Sequence, residues 1–593
     1  MHAAEGDADH SGGAGGAPEP LSRPAACRQG SPLMILLVLL LAAALLGCGP
    51  PPTPSGESAP GKTSRPAGAP PPAGAPLLAG RAARVGEEPV PLVEIAENHS
   101  DAFVRWVLHG VRNRILVHVD GHIDLDWLPP ETIESIRAAT DEPSLRTLEA
   151  HPYDLSARAN TGFGIWNFIY PAARTERVRE EVWVVPDGAL ADQAAFDRLR
   201  SGLAETLSGV SLDEYRGLRF SGGAVSGSLA GVPVMIVERN RLPRFPEPVL
   251  LDIDLDYFTT DSPVDQRVML APRLSTDALI ESLADRGVAT DLATVSYSTV
   301  AGYLPYEDRH LGDEISLALR DPQRFRSPAM RRRRQDRMKA LAALASGRPA
   351  EALRALLALF RQSPKDAPLQ VALSDAHRRL GQLREAKACE SRARSIDPSA
   401  ARLDLYRGDV ERLGGRNEEA LALFRKYMAE HPEDDAAPYA SRRVAFCLFD
   451  LHRVTEAAAA YRQLLALRPD HADSHFNLAE ALAASGDFRA AASEQQQACR
   501  LRPFDPYYSW RLGTYFLRAK EPASAEPHLR RAVEGRPASA WSHYNLAICL
   551  ASQGRFSEAL PHAETAAELD PASTGFPVLA EKLREMSLQR SAR

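Results

Sequence analysis

The pattern of apolar and polar positions changes three times along the chain. Residues 33–46 read LMILLVLLLAAALL, fourteen apolar positions without a charge. As a helix rising 1.5 Å per residue this run spans about 21 Å, short of the ~30 Å hydrocarbon core of a bilayer. It fits the apolar stretch of a secretory signal, with Arg23 and Arg28 as its positive flank. Between 49 and 80 the periodicity vanishes, and 16 of 32 residues are Pro or Gly. Such a segment cannot bury enough apolar surface to fold, so 48–85 is expected to be an extended tether. From 86 to 325 short β-branched runs alternate with helical stretches. Strands are predicted over 115–119, 182–185, 234–237, 249–255 and 293–297, and helices over 130–139, 190–206 and 274–286. The strands show little polar alternation, as strands buried on both faces do. The expectation is an α/β domain, a parallel sheet between two helical layers, with its ligand site beyond the carboxyl ends of the strands.

Beyond 330 the pattern is helical and repeats. Prolines stand at 364, 398, 432, 469, 503, 537 and 571, at steps of 34, 34, 37, 34, 34 and 34. Seventeen residues before each stand Gly347, Gly381, Gly415, His452, Gly486, Lys520 and Gly554. Five residues after those stand Ala352, Ala386, Ala420, Ala457, Ala491, Ala525 and Ala559. A period of 34 residues is the signature of stacked helical hairpins. This spacing resembles the tetratricopeptide repeat. The glycine then turns the first helix into the second, the alanine lets the two approach, and the proline ends the second. Seven repeats over 331–571 and a capping helix within 572–593 give an all-α solenoid, with looser turns expected at His452 and Lys520. A concave face of this kind implies a protein or peptide partner, with packing inside the chain or self-association as the alternative.

Composition narrows the classes. The 593 residues suffice for about four domains. With 70 basic and 77 acidic residues the net charge is −7, so no nucleic-acid partner is expected. Six cysteines without a CxxC exclude a disulfide scaffold and a thiolate zinc finger. Cys389, Cys447, Cys499 and Cys549 fall on repeat helices and read as small core residues. The basic run 331–334 with Arg337 reads as a solvated linker or first-helix face, with contact to phosphate or anionic lipid as the alternative. Leu45-Leu46-Gly47-Cys48 resembles the bacterial lipobox. The resemblance implies a signal peptide over 1–47, acylation of Cys48, anchorage to a lipid bilayer and a place in the bacterial cell envelope. Gly49 after the cysteine is similar to outer-membrane sorting.

Two predicted strands end in metal-ligand residue types: Val117-His118-Val119-Asp120-Gly121-His122-Ile123-Asp124 and Leu251-Asp252-Ile253-Asp254-Leu255-Asp256. In extended chain every second residue faces the same side, so Asp120, His122 and Asp124 can converge, as can Asp252, Asp254 and Asp256. Several carboxylates in one pocket repel one another unless a cation joins them. Carboxylate and imidazole without thiolate suit manganese, iron, zinc or magnesium.

With Glu97-Asn98-His99 upstream, this ordered set resembles the arginase/deacetylase superfamily, and within it an uncharacterised branch, over about 90–310. The resemblance implies a ligand set of His99, Asp120, His122, Asp124, Asp254 and Asp256 for two divalent metals (manganese, iron or zinc). Asp120 and Asp254 would bridge, His99 and Asp124 would complete one site, and His122 and Asp256 the other. A single-zinc deacetylase arrangement would use Asp120, His122 and Asp254 alone. Asp252 would hold ligands in place, and Asp124 would orient the nucleophile and relay its proton. Gly302-Tyr303 resembles the deacetylase Gly-Tyr whose tyrosine stabilises an oxyanion. His118 and His151 are further candidates for the general acid, with a structural role as the reading preferred for each. The implied activity is hydrolysis of a C–N bond in an amide or guanidinium group. The alternative is a non-enzymatic envelope scaffold whose α/β domain is structural or binds metal without turnover.

Overall fold

The computed structural model describes residues 81–150, 162–260, 272–299 and 303–591. Cys48, His151 and the whole of 1–80 lie outside them. Among the described residues no helix is long and apolar enough to cross a membrane.

Alternate residues of the central strands explain the layering of the α/β domain. Leu116, Trp183, Leu250 and Leu292 point to one face and join Phe103, Trp106 and Leu199 from the helices Ser100–Leu108 and Gln193–Thr206. Val117, Val119, Leu251 and Ile253 point to the other face and join Leu279 and Leu311 from the helices Thr276–Asp285 and His310–Arg320. Two apolar faces need two helical layers, and both are present.

Among the described residues nine strands form the sheet: β1 (Ala83–Arg84), β2 (Leu92–Ala96), β3 (Arg114–Val119), β4 (Val178–Val185), β5 (Arg219–Ser221), β6 (Ala224–Leu229), β7 (Val232–Glu238), β8 (Val249–Asp254) and β9 (Ala289–Ser296). Their order is β1-β9-β8-β3-β4-β7-β6-β5, with β2 also on β9. The six strands β2, β9, β8, β3, β4 and β7 run parallel. The sheet is nevertheless mixed, which corrects the parallel-sheet expectation. β1 pairs antiparallel at one edge, and β5 and β6 form an antiparallel extension at the other. Tight turns at Gly222-Gly223 and Ala230-Gly231, all four at positive φ, reverse the chain there. The fold also begins before residue 86, because β1 pairs with β9 and buries Ala83 and Val85.

The C-terminal half is seven helix pairs, from Pro328–Ala345 with Pro349–Gln362 to Ala540–Ser552 with Phe556–Leu569, followed by the helix Gly575–Ser591. All seven repeat alanines are buried. The five turn glycines adopt φ of 72 to 89°. His452 and Lys520 adopt the same left-handed conformation, at φ 58° and 64°, so these turns are strained and not loosened as expected.

The array is wrapped on the α/β domain. One apolar cluster runs from Leu203 and Tyr215 of the domain into Leu529, Leu546 and Phe576 of the array. Gly209 N–H donates to the Gly535 carbonyl (2.9 Å) and Tyr215 OH to that of Leu569 (2.8 Å). At the other end Tyr306 stacks on Tyr406 at 6.1 Å and donates to Asp397. Residues 306–309 pack on the first helices of repeats two and three, Ala367–Arg379 and Leu403–Leu413. First helices of later repeats adjoin one another, so they line the inner face of the solenoid. The basic run belongs to this junction: Arg334 pairs with Asp277 at 2.6 Å, Arg337 pairs with Asp366, and both arginines are buried rather than solvated.

Candidate metal centre

Strand pairing explains the convergence of the acidic residues. β3 and β8 are parallel neighbours with His118 directly opposite Asp252. Two residues on, where the strands end, Asp120 and Asp254 return to the same side. His99 enters from the N-terminus of the helix that follows β2. Gly121 makes room for the turn after β3, because a Cβ there would lie 2.5 Å from Thr260 Oγ1. Asp124 is held at φ 49°, a left-handed conformation that costs a non-glycine residue energy and marks a site where geometry is imposed.

His99 is the hub. Its Nδ1 stands 3.0 Å from Asp120 Oδ2, 3.0 Å from Asp124 Oδ2 and 2.9 Å from Asp254 Oδ2. Its Nε2 lies 2.6 Å from Asp252 Oδ2, which also meets His118 Nδ1 at 3.1 Å. On the other side of Asp120, His122 Nδ1 lies 2.7 Å from Asp256 Oδ2 and 3.6 Å from Asp120 Oδ1. Two groups of ligand atoms result, and they share Asp120: His99, His118, Asp120 and Asp124 in one, Asp120, His122 and Asp256 in the other. Ser298 donates to Asp254 Oδ2, and the backbone N–H of Gly121 donates to Asp256 Oδ1 at 3.1 Å.

The residues fit a pair of hard divalent cations. Ligand atoms about 2.1 Å from an octahedral ion stand about 3.0 Å apart, and the three spacings from His99 Nδ1 match that edge. The buried Asp120 Oδ2 has no hydrogen-bond partner among the described residues, although two imidazole nitrogens stand within 3.2 Å of it. His118 Nε2 and His122 Nε2 are buried without such a partner too.

The electrostatics tell the same story. Burial works against a charged His99, but the carboxylates of Asp252, Asp254 and Asp120 outweigh it and raise its pKa well above the ordinary value. His122 is raised in the same way by Asp256 and Asp120. Burial and the Asp120 charge push the Asp124 carboxyl up to about 6. Burial, Asp120 and Asp254 raise Asp256 well above the usual range. Protons thus occupy ground that cations would take, and a cation entering the cluster would displace them.

All six sequence-predicted ligands and Asp252 meet in this centre. Tyr303 lines the adjoining cavity of about 110 Å³, together with Trp166, Trp183 and Leu207, and its ring stands 5.0 Å from that of His122. Two participants were not placed in the cluster by the sequence reading. His118, read as structural, stacks on His99 at 5.2 Å within the cluster. Its signal was its position two residues before Asp120, on the same strand face. Glu181 of β4 is fully buried, and neither carboxylate oxygen has a partner among the described residues. Burial, with Asp124 and Asp120 adding to it, pushes its carboxyl up to about 8.

The tetratricopeptide-repeat family model matches residues 337–390, 371–435, 448–506 and 511–574. The C-terminal half is a tetratricopeptide-repeat array. Such arrays serve protein interaction. The repeat cysteines are free, Cys389, Cys447 and Cys549 are buried, and burial pushes the Cys447 thiol up to about 12. Among solved structures, MamA 41-end from Desulfovibrio magneticus RS-1 is 18% identical, with 29% of this chain and 97% of that chain covered at a TM-score of 0.28. TTC0263, a thermophilic TPR protein in Thermus thermophilus, is 25% identical, with 32% and 99% covered at 0.25. YrrB, a TPR protein with an unusual peptide-binding site, is 18% identical, with 32% and 95% covered at 0.24. No curated protein matches the chain.

Proposed function

We propose that the α/β domain is a metal-dependent hydrolase of a C–N bond, in an amide or guanidino group, carried by an exported, lipid-anchored chain. The observation that carries the reading is the spacing at His99 Nδ1: three carboxylate oxygens at 2.9–3.0 Å in a buried pocket. Bound divalent cations would supply a water of lowered pKa and positive charge opposite the developing oxyanion. His99, Asp120, Asp124 and Asp254 would hold one cation, and His122, Asp256 and the shared Asp120 and Asp254 the other. Asp252 fixes the rings of His99 and His118 from behind, and Ser298 fixes Asp254. Asp124, whose Oδ2 stands 3.0 Å from His99 Nδ1 at the wall of the cavity, is placed to take a proton from the attacking water and pass it on. Tyr303, against His122, is placed to donate to the carbonyl oxygen of an amide. Trp166 and Leu207 line the cavity beside the cluster.

Anchorage rests on Leu45-Leu46-Gly47-Cys48 after the apolar run, and it puts the enzyme at the bacterial envelope, in the outer membrane. The array meets the α/β domain through first helices at residues 306–309 and through the ends of second helices at Gly535 and Leu569, and a protein partner would use the surface left exposed. The test is release of amine, acetate or urea by the full chain loaded with manganese, iron or zinc. Turnover of an N-acyl or guanidino compound that disappears in Asp254→Ala supports the reading. A metal-loaded, folded protein that turns over none of them overturns it. Incorporation of labelled fatty acid, lost in Cys48→Ser, tests the anchor.

A further inference from the structure

The cavity at the metal centre has a volume of about 110 Å³, room for a small acyl group and little more. It does not end there. Asp126 and Trp166 are shared with a second cavity of about 90 Å³, whose far wall is the array segment 502–506 between repeats five and six. That cavity in turn shares Pro129, Gly162 and Phe504 with a third, of about 280 Å³, lying over the helix Pro130–Ala138. The three cavities share walls and so lie in a row from the ligand cluster, between the two domains, toward the surface, a row here called the groove.

Its lining alternates rings with polar groups. Trp166, Trp127 and Phe504 follow one another along it, with Trp127 and Phe504 at 6.5 Å. Phe504 is 45% exposed, unusual for a large apolar ring, and its open side faces the groove. Between the rings stand Asp126, Ser208 and Asp505, and beyond them Glu131 and Ser135. Asp126 is fixed by the N–H groups of Trp127 (3.0 Å) and Ser208 (2.9 Å), and Asp505 by that of Tyr507 (2.9 Å), so the walls are set before any ligand arrives. No strand borders the second and third cavities among the described residues, so a peptide would find no main-chain edge to pair with.

We propose that this groove binds a linear N-acylated glycan, with an N-acyl group at the metal centre and successive sugars along Trp166, Trp127 and Phe504. The array is then a substrate-binding element of the domain it embraces. A pyranose offers an apolar C–H face to a ring and a hydroxyl rim to carboxylates and hydroxyls, which is the alternation seen here. Its N-acyl group supplies the amide C–N bond, so the inference rests on the hydrolase reading and specifies its substrate.

The test is calorimetric titration of the metal-loaded full chain with N-acetylglucosamine and its β-1,4-linked oligomers of two to six units. The dissociation constant should fall at least tenfold from monomer to tetramer. Phe504→Ala, a change at an exposed ring, should cancel that gain and leave the monomer's affinity as it was. Asp254→Ala should keep the gain, because groove binding precedes chemistry. Affinity independent of length overturns the proposal, as does tightening seen only with acetyl-lysine peptides of matching length. Failure of the hydrolase reading would show differently, as length-dependent glycan binding without acetate release. Hydrolysis of small amides without glycan binding would spare that reading and overturn the groove.

Discussion

Both halves of the molecule bury charge, but they arrange it in opposite ways. In the array buried and half-buried acids meet bases from their own or an adjacent repeat: Glu390 with Arg407 at 2.7 Å, Asp409 with Arg443 at 2.8 Å, Asp473 with Arg502 at 3.1 Å, and Glu480 with Arg511. In the α/β domain Asp120, Asp124, Asp252, Asp254 and Asp256 converge with imidazoles alone, and no arginine or lysine reaches them among the described residues. Pairs that alternate in sign hold helices in register. In the cluster five carboxylates meet only three imidazoles, so negative charge stays in excess even with those rings protonated, and a cation would balance it. The sign pattern of buried charge, more than its amount, separates scaffold from site.

The contrast can be broken most forcefully at the array. Asp409→Ala strips a buried acid from Arg443 and Tyr439, so it should destabilise the chain by about 3–5 kcal/mol, read by chemical denaturation. A loss near zero would mean that the array pairs carry no stability.

Removing an acid from the cluster should have the opposite sign. With a carboxyl raised to about 6 when folded against about 3.9 unfolded, ionised Asp124 costs stability above the unfolded value, and the full cost is reached above pH 6. Asp124→Asn should therefore stabilise the metal-free chain at pH 8 by about 1–3 kcal/mol, with the gain fading below pH 4. The same variant should retain less metal. Destabilisation of the metal-free chain at pH 8 would contradict the like-charge picture.

Asp252→Asn tests the support beneath His99 and His118. It leaves all six proposed ligands in place, so it should weaken metal affinity by about 10–100-fold without abolishing binding, as measured by chelator competition. The smallest effect belongs to the strained turns. His452→Gly and Lys520→Gly relieve left-handed residues and should each stabilise by about 1 kcal/mol at most. Destabilisation of either would mean that its side chain contributes something glycine lacks.

The array was legible because its rules are local. Gly347 to Pro364 is one turn, one helix and one stop, and that pattern recurs seven times at nearly constant spacing. The central strands were legible for the same reason. The predicted run 249–255 became β8, Val249–Asp254, and 115–119 became β3, Arg114–Val119. The edge strands were not, since β5 and β6 are Ser- and Gly-bearing and only partly buried, and pairing rather than side-chain pattern defines them. His118 was missed because its role depends on Asp252 opposite, 134 residues away. The embrace of the two halves depends on contacts as distant as Tyr215 with Leu569, and no local pattern announces them.

The measurement that tests the cluster most directly is the metal content of the purified full chain by mass spectrometry, beside Asp254→Ala, with folding of both checked by circular dichroism. The account predicts about two equivalents of a first-row divalent cation in the wild type, reduced below one in the variant, with helix content unchanged. A folded wild-type chain that takes up no manganese, iron or zinc when these are supplied in excess would contradict it.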